Sequence, residues 1–218
     1  MAIPVLIIGK SGTGKTTSLR NCVEQDFNLI NVLRKPLPFK GHIPTAQTDD
    51  YTTIMKSIYA TKAKSIVIDD AGYLITNQFM RNHGSGTGNQ VFAMYNEIAD
   101  NFWNLIQYII NTVQKDKIVY VIMHEEVSDN GDIKPKTIGT LLDEKVSIEG
   151  MFTIVLRSVY QDNKYQFVTQ SIDGSVAKSP IGLFEDKYID NDLLLVDQAI
   201  REYYKIKPIK EEKEKESK

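Results

Sequence analysis

One short segment of the sequence, residues 9–17, combines residue types that could bind a polyphosphate. It reads GKSGTGKTT and follows an apolar run at residues 3–8. Its glycines permit backbone shapes that a side chain would block, so successive N–H groups can point at one anion. Lys15 would reach the β- and γ-phosphates, and the Thr16 hydroxyl would ligate Mg²⁺. The segment therefore predicts a nucleotide-binding loop.

The spacing of this segment matches the pattern G-x-x-x-x-G-K-[ST], in which a strand precedes the loop and a helix follows it. The positive N-terminal end of that helix adds to the attraction for phosphate. The expected ligands are ATP and Mg²⁺. The predicted nucleotide-binding residues are Gly9, Ser11, Gly12, Thr13, Gly14, Lys15, Thr16 and Thr17.

A second motif supplies carboxylates for the metal ion. Residues 66–70 read IVIDD, an apolar strand that ends in two aspartates. Asp69 is the predicted partner of the Mg²⁺ water shell. Asp70 stands where a carboxylate could polarise the attacking water, and it could equally cap the following turn. Lys15, Asp70 and His124 are the predicted catalytic residues.

His124 follows a third apolar strand, predicted at residues 117–123. Ligands of open α/β sheets lie beyond the carboxyl ends of the strands, so His124 could sense the γ-phosphate or orient water. A lone histidine is also compatible with a purely structural role. Glu125 and Glu126 are alternatives to Asp70 as the base.

Hydrolysis also requires positive charge near the γ-phosphate, because the reaction depends on positioning and charge neutralisation. A neighbouring subunit often supplies this charge. Arg157 and Lys178 are the candidates, and both are also compatible with ordinary surface positions.

The elements that must position these residues are strands alternating with helices, which predicts an α/β three-layer sandwich with a mainly parallel sheet. A late hairpin, joined at residues 162–163, predicts an antiparallel C-terminal extension. Polar segments 77–90 and 127–149 are predicted loops. Predicted strands cover residues 3–8, 27–33, 65–69, 117–123, 152–160 and 165–169; predicted helices cover residues 16–25, 51–61, 91–113 and 190–204.

Composition is typical of a globular domain, with 42% apolar and 25% charged residues and a net charge of −2. One cysteine, Cys22, excludes an internal disulfide and fits a reducing compartment. We expect a cytoplasmic protein without a membrane span or signal peptide. One ATPase domain is predicted over residues 1–204, followed by a charged, disordered tail at residues 205–218.

These motifs together resemble the RecA-like P-loop ATPases, with residues 9–16 as Walker A and residues 66–70 as Walker B. More narrowly, the chain resembles phage-encoded RecA-like ATPases linked to single-strand annealing recombination. The closing stretch, SVAKSPIGLFEDKYIDNDLLLVDQAIREYY, is also similar to that group. The resemblance covers residues 3–204 and, for a phage protein, implies the host cytoplasm.

This resemblance implies a homo-oligomer with ATP at subunit interfaces, and single-stranded DNA on segments 77–90 and 127–149. A single-strand-binding protein is a further implied partner. Arg81, Lys134 and Lys136 could follow a DNA backbone, whereas Asp129, Asp132, Asp143 and Glu144 depart from a basic groove. A second departure is Arg34-Lys35, which stands where the family usually carries a glutamate after an earlier strand. It leaves the base unassigned and implies slow turnover.

Two other functions use the same loop. An AAA-like helicase loader or regulator would act on a protein partner and would carry a sensor arginine in a helical lid; Arg201 lies on the last predicted helix without such a lid. A small-molecule kinase would need an arginine-rich lid over the phosphates. Residues 77–149 contain only Arg81, which argues against a kinase.

Overall fold

The structure, a computed structural model, describes residues 1–84, 88–139, 141–172 and 174–208, with only the backbone of residues 143 and 144. Within them, nine strands form one sheet in the order β3-β2-β4-β5-β1-β7-β8-β9, and β6 pairs with β5. The strands are β1 Ile3–Gly9, β2 Phe27–Asn31, β3 Thr45–Ala46, β4 Ser65–Asp69, β5 Ile118–Val127, β6 Ile133–Pro135, β7 Ile154–Gln161, β8 Lys164–Val168 and β9 Tyr188–Asp190.

The centre of the sheet is parallel, as predicted. β1 lies between β5 and β7, and β4 pairs with the other side of β5. This register sets Gly9 level with His124 and Ser158 at the carboxyl edge of the sheet. β4 is buried along its whole length, which explains its continuous apolar run. The order brings the ends of β4, β5 and β1 to a single edge.

Helices cover both faces of this sheet, which confirms the predicted three-layer α/β sandwich. A 3-10 helix, Thr16–Cys22, and α4 (Leu193–Tyr203) pack on one face. On the other face lie α1 (Tyr51–Ala60), α2 (Gly72–Asn82) and α3 (Asn89–Thr112). No helix among the described residues is long and apolar enough to cross a membrane.

The C-terminal hairpin is also confirmed. β7 and β8 pair antiparallel around Asp162 and Asn163, which both adopt positive φ. β9 adds a third antiparallel strand, so the last helix begins later than predicted. The Asp192 side chain accepts a hydrogen bond of 3.0 Å from the backbone N–H of Leu194 and caps α4 there.

The prediction of a loop at residues 77–90 is wrong over most of its length. α2 continues to Asn82 and α3 begins at Asn89, because the apolar side chains of α2 at Leu74 and Ile75 pack into the core and hold the helix. The glycine-rich positions 85–87 lie outside the described residues. The fully buried side chains of α3 begin only at Ile98, and nearer the connection between α2 and α3 the contacts with the core come from partly buried side chains, Phe79 and Met94.

Segment 127–149 is not a simple loop either. β5 extends beyond the predicted end at residue 123, through His124 to Val127, and pairs with β6 across a turn at residues 128–132. A short π-helical turn, Leu141–Lys145, and a 3-10 turn, Ile148–Met151, follow. Of the predicted tail, residues 209–218 lie outside the described residues, as do the side chains of Asp143 and Glu144.

Candidate nucleotide-binding site

The glycine-rich loop leaves β1 at the carboxyl edge of the sheet and enters the 3-10 helix. A Cβ at Gly9 would lie 2.7 Å from the Ser158 carbonyl oxygen, so only glycine fits against β7. Gly14 adopts φ +93°, and a Cβ there would lie 2.8 Å from the Tyr165 ring. Both glycines are therefore required by positive φ or by close contact. Ser11 and Gly12 are exposed at the loop tip, and Thr13 and Thr17 are half-buried.

Lys15 lies inside this loop with 6% of its surface exposed. Its ammonium donates hydrogen bonds to the carbonyl oxygens of Gly9, at 2.8 Å, and Lys10, at 2.7 Å. Burial lowers the pKa of Lys15 to about 8, although Asp70 and Asp69 act in the opposite direction. The arrangement places a cation under the loop, where an anion held by the loop would meet it.

This pKa makes nucleotide affinity sensitive to alkaline pH. Below pH 8, Lys15 is already charged before the ligand arrives; above it, binding must take up a proton. ATP affinity should then fall by up to about tenfold per pH unit. Isothermal titration calorimetry from about pH 7 to about pH 9.5, in buffers of different ionisation enthalpy, measures both the affinity and the proton uptake. Constant affinity without proton uptake across this range would contradict the placement of Lys15.

Thr16 and Asp69 meet directly, although 53 positions separate them in the chain. The Thr16 hydroxyl lies 3.1 Å and 3.0 Å from the two carboxylate oxygens of Asp69. Burial, and then the neighbouring charge of Asp70, raise the pKa of Asp69 to about 6, and the Thr16 hydrogen bond limits this rise. The hydroxyl and the carboxylate are thus held together at the edge where β1 and β4 end.

Asp70 is fixed between two basic side chains. Its carboxylate lies 2.6 Å from the Lys35 ammonium and 3.5 Å from His124 Nε2. Burial alone would raise the pKa of Asp70, but the hydrogen bonds with His124 and Lys35 and the charge of Lys35 outweigh it and lower the pKa. Asp70 also adopts φ +58°, a strained conformation for a non-glycine residue. The structure thus brings Asp70 and His124 together.

The two alternative bases lie in different surroundings. Arg157 holds Glu125 in a bidentate ion pair, with Nε to Oε2 at 2.8 Å and Nη2 to Oε1 at 3.0 Å. Glu126 lies on the β5–β6 hairpin, 3.8 Å from the Lys134 ammonium. Arg157 is therefore engaged within its own chain rather than presented to a neighbouring subunit. The backbone of Lys178 pairs with Val155 beside β7.

Sequence reasoning missed the residues that support the loop from behind. The Ser158 hydroxyl donates to the Thr13 carbonyl oxygen at 2.7 Å, and the Asn191 side-chain amide donates to the Ser158 hydroxyl at 3.2 Å. The exposed ring of Tyr165 lies against Gly14 of the loop, and its centroid is 4.5 Å from that of Tyr160. No local pattern could have indicated these residues, since strand order alone places them next to the loop.

A mainly parallel sheet with a glycine-lysine loop at the carboxyl end of a central strand defines the P-loop class of nucleotide-binding ATPases. A sequence-family model described as an AAA domain matches residues 1–181, most of the chain. The chain belongs to the AAA domain family.

Among solved structures, the ATPase DotB of Legionella pneumophila is similar at 11% sequence identity, with a TM-score of 0.39. The alignment covers 94% of this chain and 52% of DotB, so the chain spans about half the length of that relative. No curated protein matches the sequence.

Proposed function

We propose that the chain binds ATP with Mg²⁺ and hydrolyses it. The observation that carries the proposal is the meeting of three groups at one edge: the Lys15 ammonium within the loop, the Thr16 hydroxyl and the Asp69 carboxylate. Backbone N–H groups of the loop would surround the phosphates, and Lys15 would neutralise part of their charge.

The residues at this edge fit an Mg²⁺ ion that is bound partly by protein and partly by nucleotide and water. Thr16 and Asp69 offer hard oxygen ligands. No group of three or more His, Cys, Asp or Glu side chains that could hold a metal occurs among the described residues. The remaining ligands would therefore be phosphate oxygens and water, as is usual for Mg²⁺ with nucleotides. When bound, Mg²⁺ would neutralise charge that develops on the phosphates.

Asp70 is the best candidate for orienting the attacking water. It follows Asp69 directly, and His124 and Lys35 fix both of its oxygens. Glu125 is less suited, because its side chain is only 1% exposed and lies against the Arg157 guanidinium rather than beside Asp69. With Arg157 paired in cis, Lys178 is the remaining candidate for a cation that acts across a subunit interface in a homo-oligomer.

We further propose that ATP turnover acts on single-stranded DNA, as in annealing recombination, with a single-strand-binding protein as an auxiliary partner. Strand binding uses basic groups together with aromatic rings on which bases stack. The α2–α3 hairpin carries Phe92, 72% exposed, and Arg81, which forms an ion pair with Asp49. On the second predicted segment, Lys134 lies on β6, 3.8 Å from Glu126, and Lys136 follows β6 directly.

A physical link joins this hairpin to the nucleotide site. α2 begins at Gly72, two residues after Asp70, and the Tyr73 ring contacts His124 edge-on at a centroid distance of 5.9 Å. A cavity of about 240 Å³ is lined by Tyr73, His124 and Lys136. Movement of Asp70 or His124 around the γ-phosphate would therefore be transmitted to α2, and DNA on the hairpin would influence hydrolysis in return.

The test measures ATP hydrolysis alone and with single-stranded DNA, double-stranded DNA or small acceptors. We expect single-stranded DNA to stimulate hydrolysis at least about threefold, and Phe92→Ala to remove most of this stimulation, since stacking contributes about 1–3 kcal/mol per base. Tyr59→Ala is the matched control, because Tyr59 is equally aromatic and 80% exposed on α1.

The remaining outcomes separate the alternatives. Hydrolysis that neither form of DNA changes would contradict the DNA role and favour a loader or regulator that acts on a protein. Phosphate transfer to an acceptor would identify a kinase. Absence of ATP binding would reject the whole proposal.

A further inference from the structure

Lys35 places a cation at the mouth of the nucleotide site, although it belongs to none of the sequence motifs. It follows β2, and its ammonium lies 2.6 Å from the carboxylate of Asp70. The Lys35 side chain is 57% exposed, whereas that of Asp70 is only 6% exposed. The Lys35 side chain therefore contacts a buried carboxylate while much of its own surface remains open to solvent.

The backbone that carries Lys35 is held in a defined shape. The side-chain amide of Asn31, a buried residue at the end of β2, donates a 2.7 Å hydrogen bond to the Lys35 carbonyl oxygen. Arg34 adopts φ +57°, the left-handed region that a non-glycine residue occupies only when its surroundings require it. The hydrogen bond and the left-handed residue together fix the position of the Lys35 backbone, from which its side chain extends toward Asp70.

The charges around Asp70 explain what this cation would do when a triphosphate arrives. Asp69 and Asp70 are adjacent buried carboxylates at the edge where the terminal phosphate would lie. A γ-phosphate brought close to Asp70 would be repelled by it, because both are anions in a partly dehydrated site. Lys35 has three N–H donors, and the ion pair with Asp70 uses one of them. The others can serve a second anion.

We propose that Lys35 binds the terminal phosphate of ATP while it retains Asp70, and that it thereby makes the site prefer a nucleoside triphosphate over a diphosphate. This inference rests on the proposed ATP binding. Lys15 sits beneath the loop and contacts its carbonyl oxygens, so it attracts the phosphates of ATP and ADP alike. Lys35 approaches from the side of Asp70, where a diphosphate has no phosphoryl group to offer.

The test compares the affinities of ADP and of a non-hydrolysable ATP analogue for the wild-type chain and for Lys35→Met. A lost charge-assisted hydrogen bond should weaken binding of the ATP analogue at least about tenfold, while ADP binding should change by less than about twofold. Lys35→Arg should restore most of the preference. Arg34→Gln is the matched control, because it removes the neighbouring exposed charge and leaves the ratio of affinities unchanged.

Each outcome bears on the inference separately from the proposed function. If the wild-type chain binds both nucleotides and Lys35→Met leaves their affinity ratio unchanged, the role of Lys35 is refuted while ATP binding stands. Equal weakening of both nucleotides, with an unchanged melting temperature, would assign Lys35 to general attraction and also refute the inference. A wild-type chain that binds neither nucleotide would overturn the proposed function and the inference together.

Discussion

Replacement of Lys15 by alanine should weaken ATP binding at least about 100-fold, since it removes a charge-assisted interaction with the phosphates inside a partly dehydrated loop. The fold should persist. The Lys15 ammonium donates to the carbonyl oxygens of Gly9 and Lys10, and the substitution leaves the backbone that carries these two groups in place. Burial already opposes its charge, which lowers its pKa to about 8. We therefore expect a melting temperature within about 5 °C of the wild type.

Isothermal titration calorimetry and thermal denaturation with and without ATP measure these two effects. Lys56→Ala is a suitable control, because Lys56 is an exposed lysine on α1, away from the loop. The control should bind ATP like the wild type and gain the same thermal stabilisation from it. Unchanged ATP affinity in Lys15→Ala would remove the basis of the proposed site.

Asp69→Asn should separate activity from stability. The substitution keeps an oxygen that can accept the Thr16 hydroxyl but removes the charge that would hold the water shell of Mg²⁺. Hydrolysis should fall at least about 100-fold, as is typical when a group that stabilises the transition state is lost. The melting temperature at neutral pH should stay constant or rise.

The sign of the stability effect follows from the pKa of Asp69. Burial, and then the charge of Asp70, raise it from 3.8 to about 6 in the folded chain. The folded state therefore binds a proton more tightly than the unfolded state, and stability from this group is lost as pH rises toward 6. Above that pH the buried carboxylate of Asp69 is charged and destabilises the folded wild type, whereas the neutral asparagine of the mutant does not have this effect.

Two measurements check this prediction. The first is the hydrolysis rate. The second is the melting temperature at about pH 5 and about pH 7.5, and the difference between mutant and wild type should shift in favour of the mutant at the higher pH. Asp49→Asn is the control, because Asp49 pairs with Arg81 on the surface and its pKa is lowered rather than raised. A mutant that hydrolyses ATP normally would show that Asp69 does not anchor the metal.

Several features followed from local sequence because their causes are local. The limits of β4 were predicted at both ends, since a continuous apolar run bounded by polar residues defines a buried strand. The helix predicted at residues 51–61 was also found as α1, which Asp50 caps by accepting a 2.7 Å hydrogen bond from the backbone N–H of Thr53. The family assignment confirms the P-loop class that the glycine-lysine spacing indicated.

Other boundaries could not be predicted because packing decided them. Residues 77–82 read as a polar loop, yet they continue α2 on a helix whose apolar side packs against α3. Likewise, β5 passes through His124 to Val127 because β6 returns to pair with it. Polar composition predicts solvent exposure reliably, but an exposed helix face and an exposed loop share that composition.

The sequence by itself determined the chemistry available at the site: a loop that can surround phosphates, and a strand that ends in Asp69 and Asp70. Only the tertiary structure decided how the remaining charges are paired. Strand order brings Arg157 to Glu125 and Lys35 to Asp70, and it places the second pair beside Asp69 at the carboxyl edge of the sheet. Ion pairs between distant segments depend on which strands become neighbours, and no spacing along the chain encodes that order.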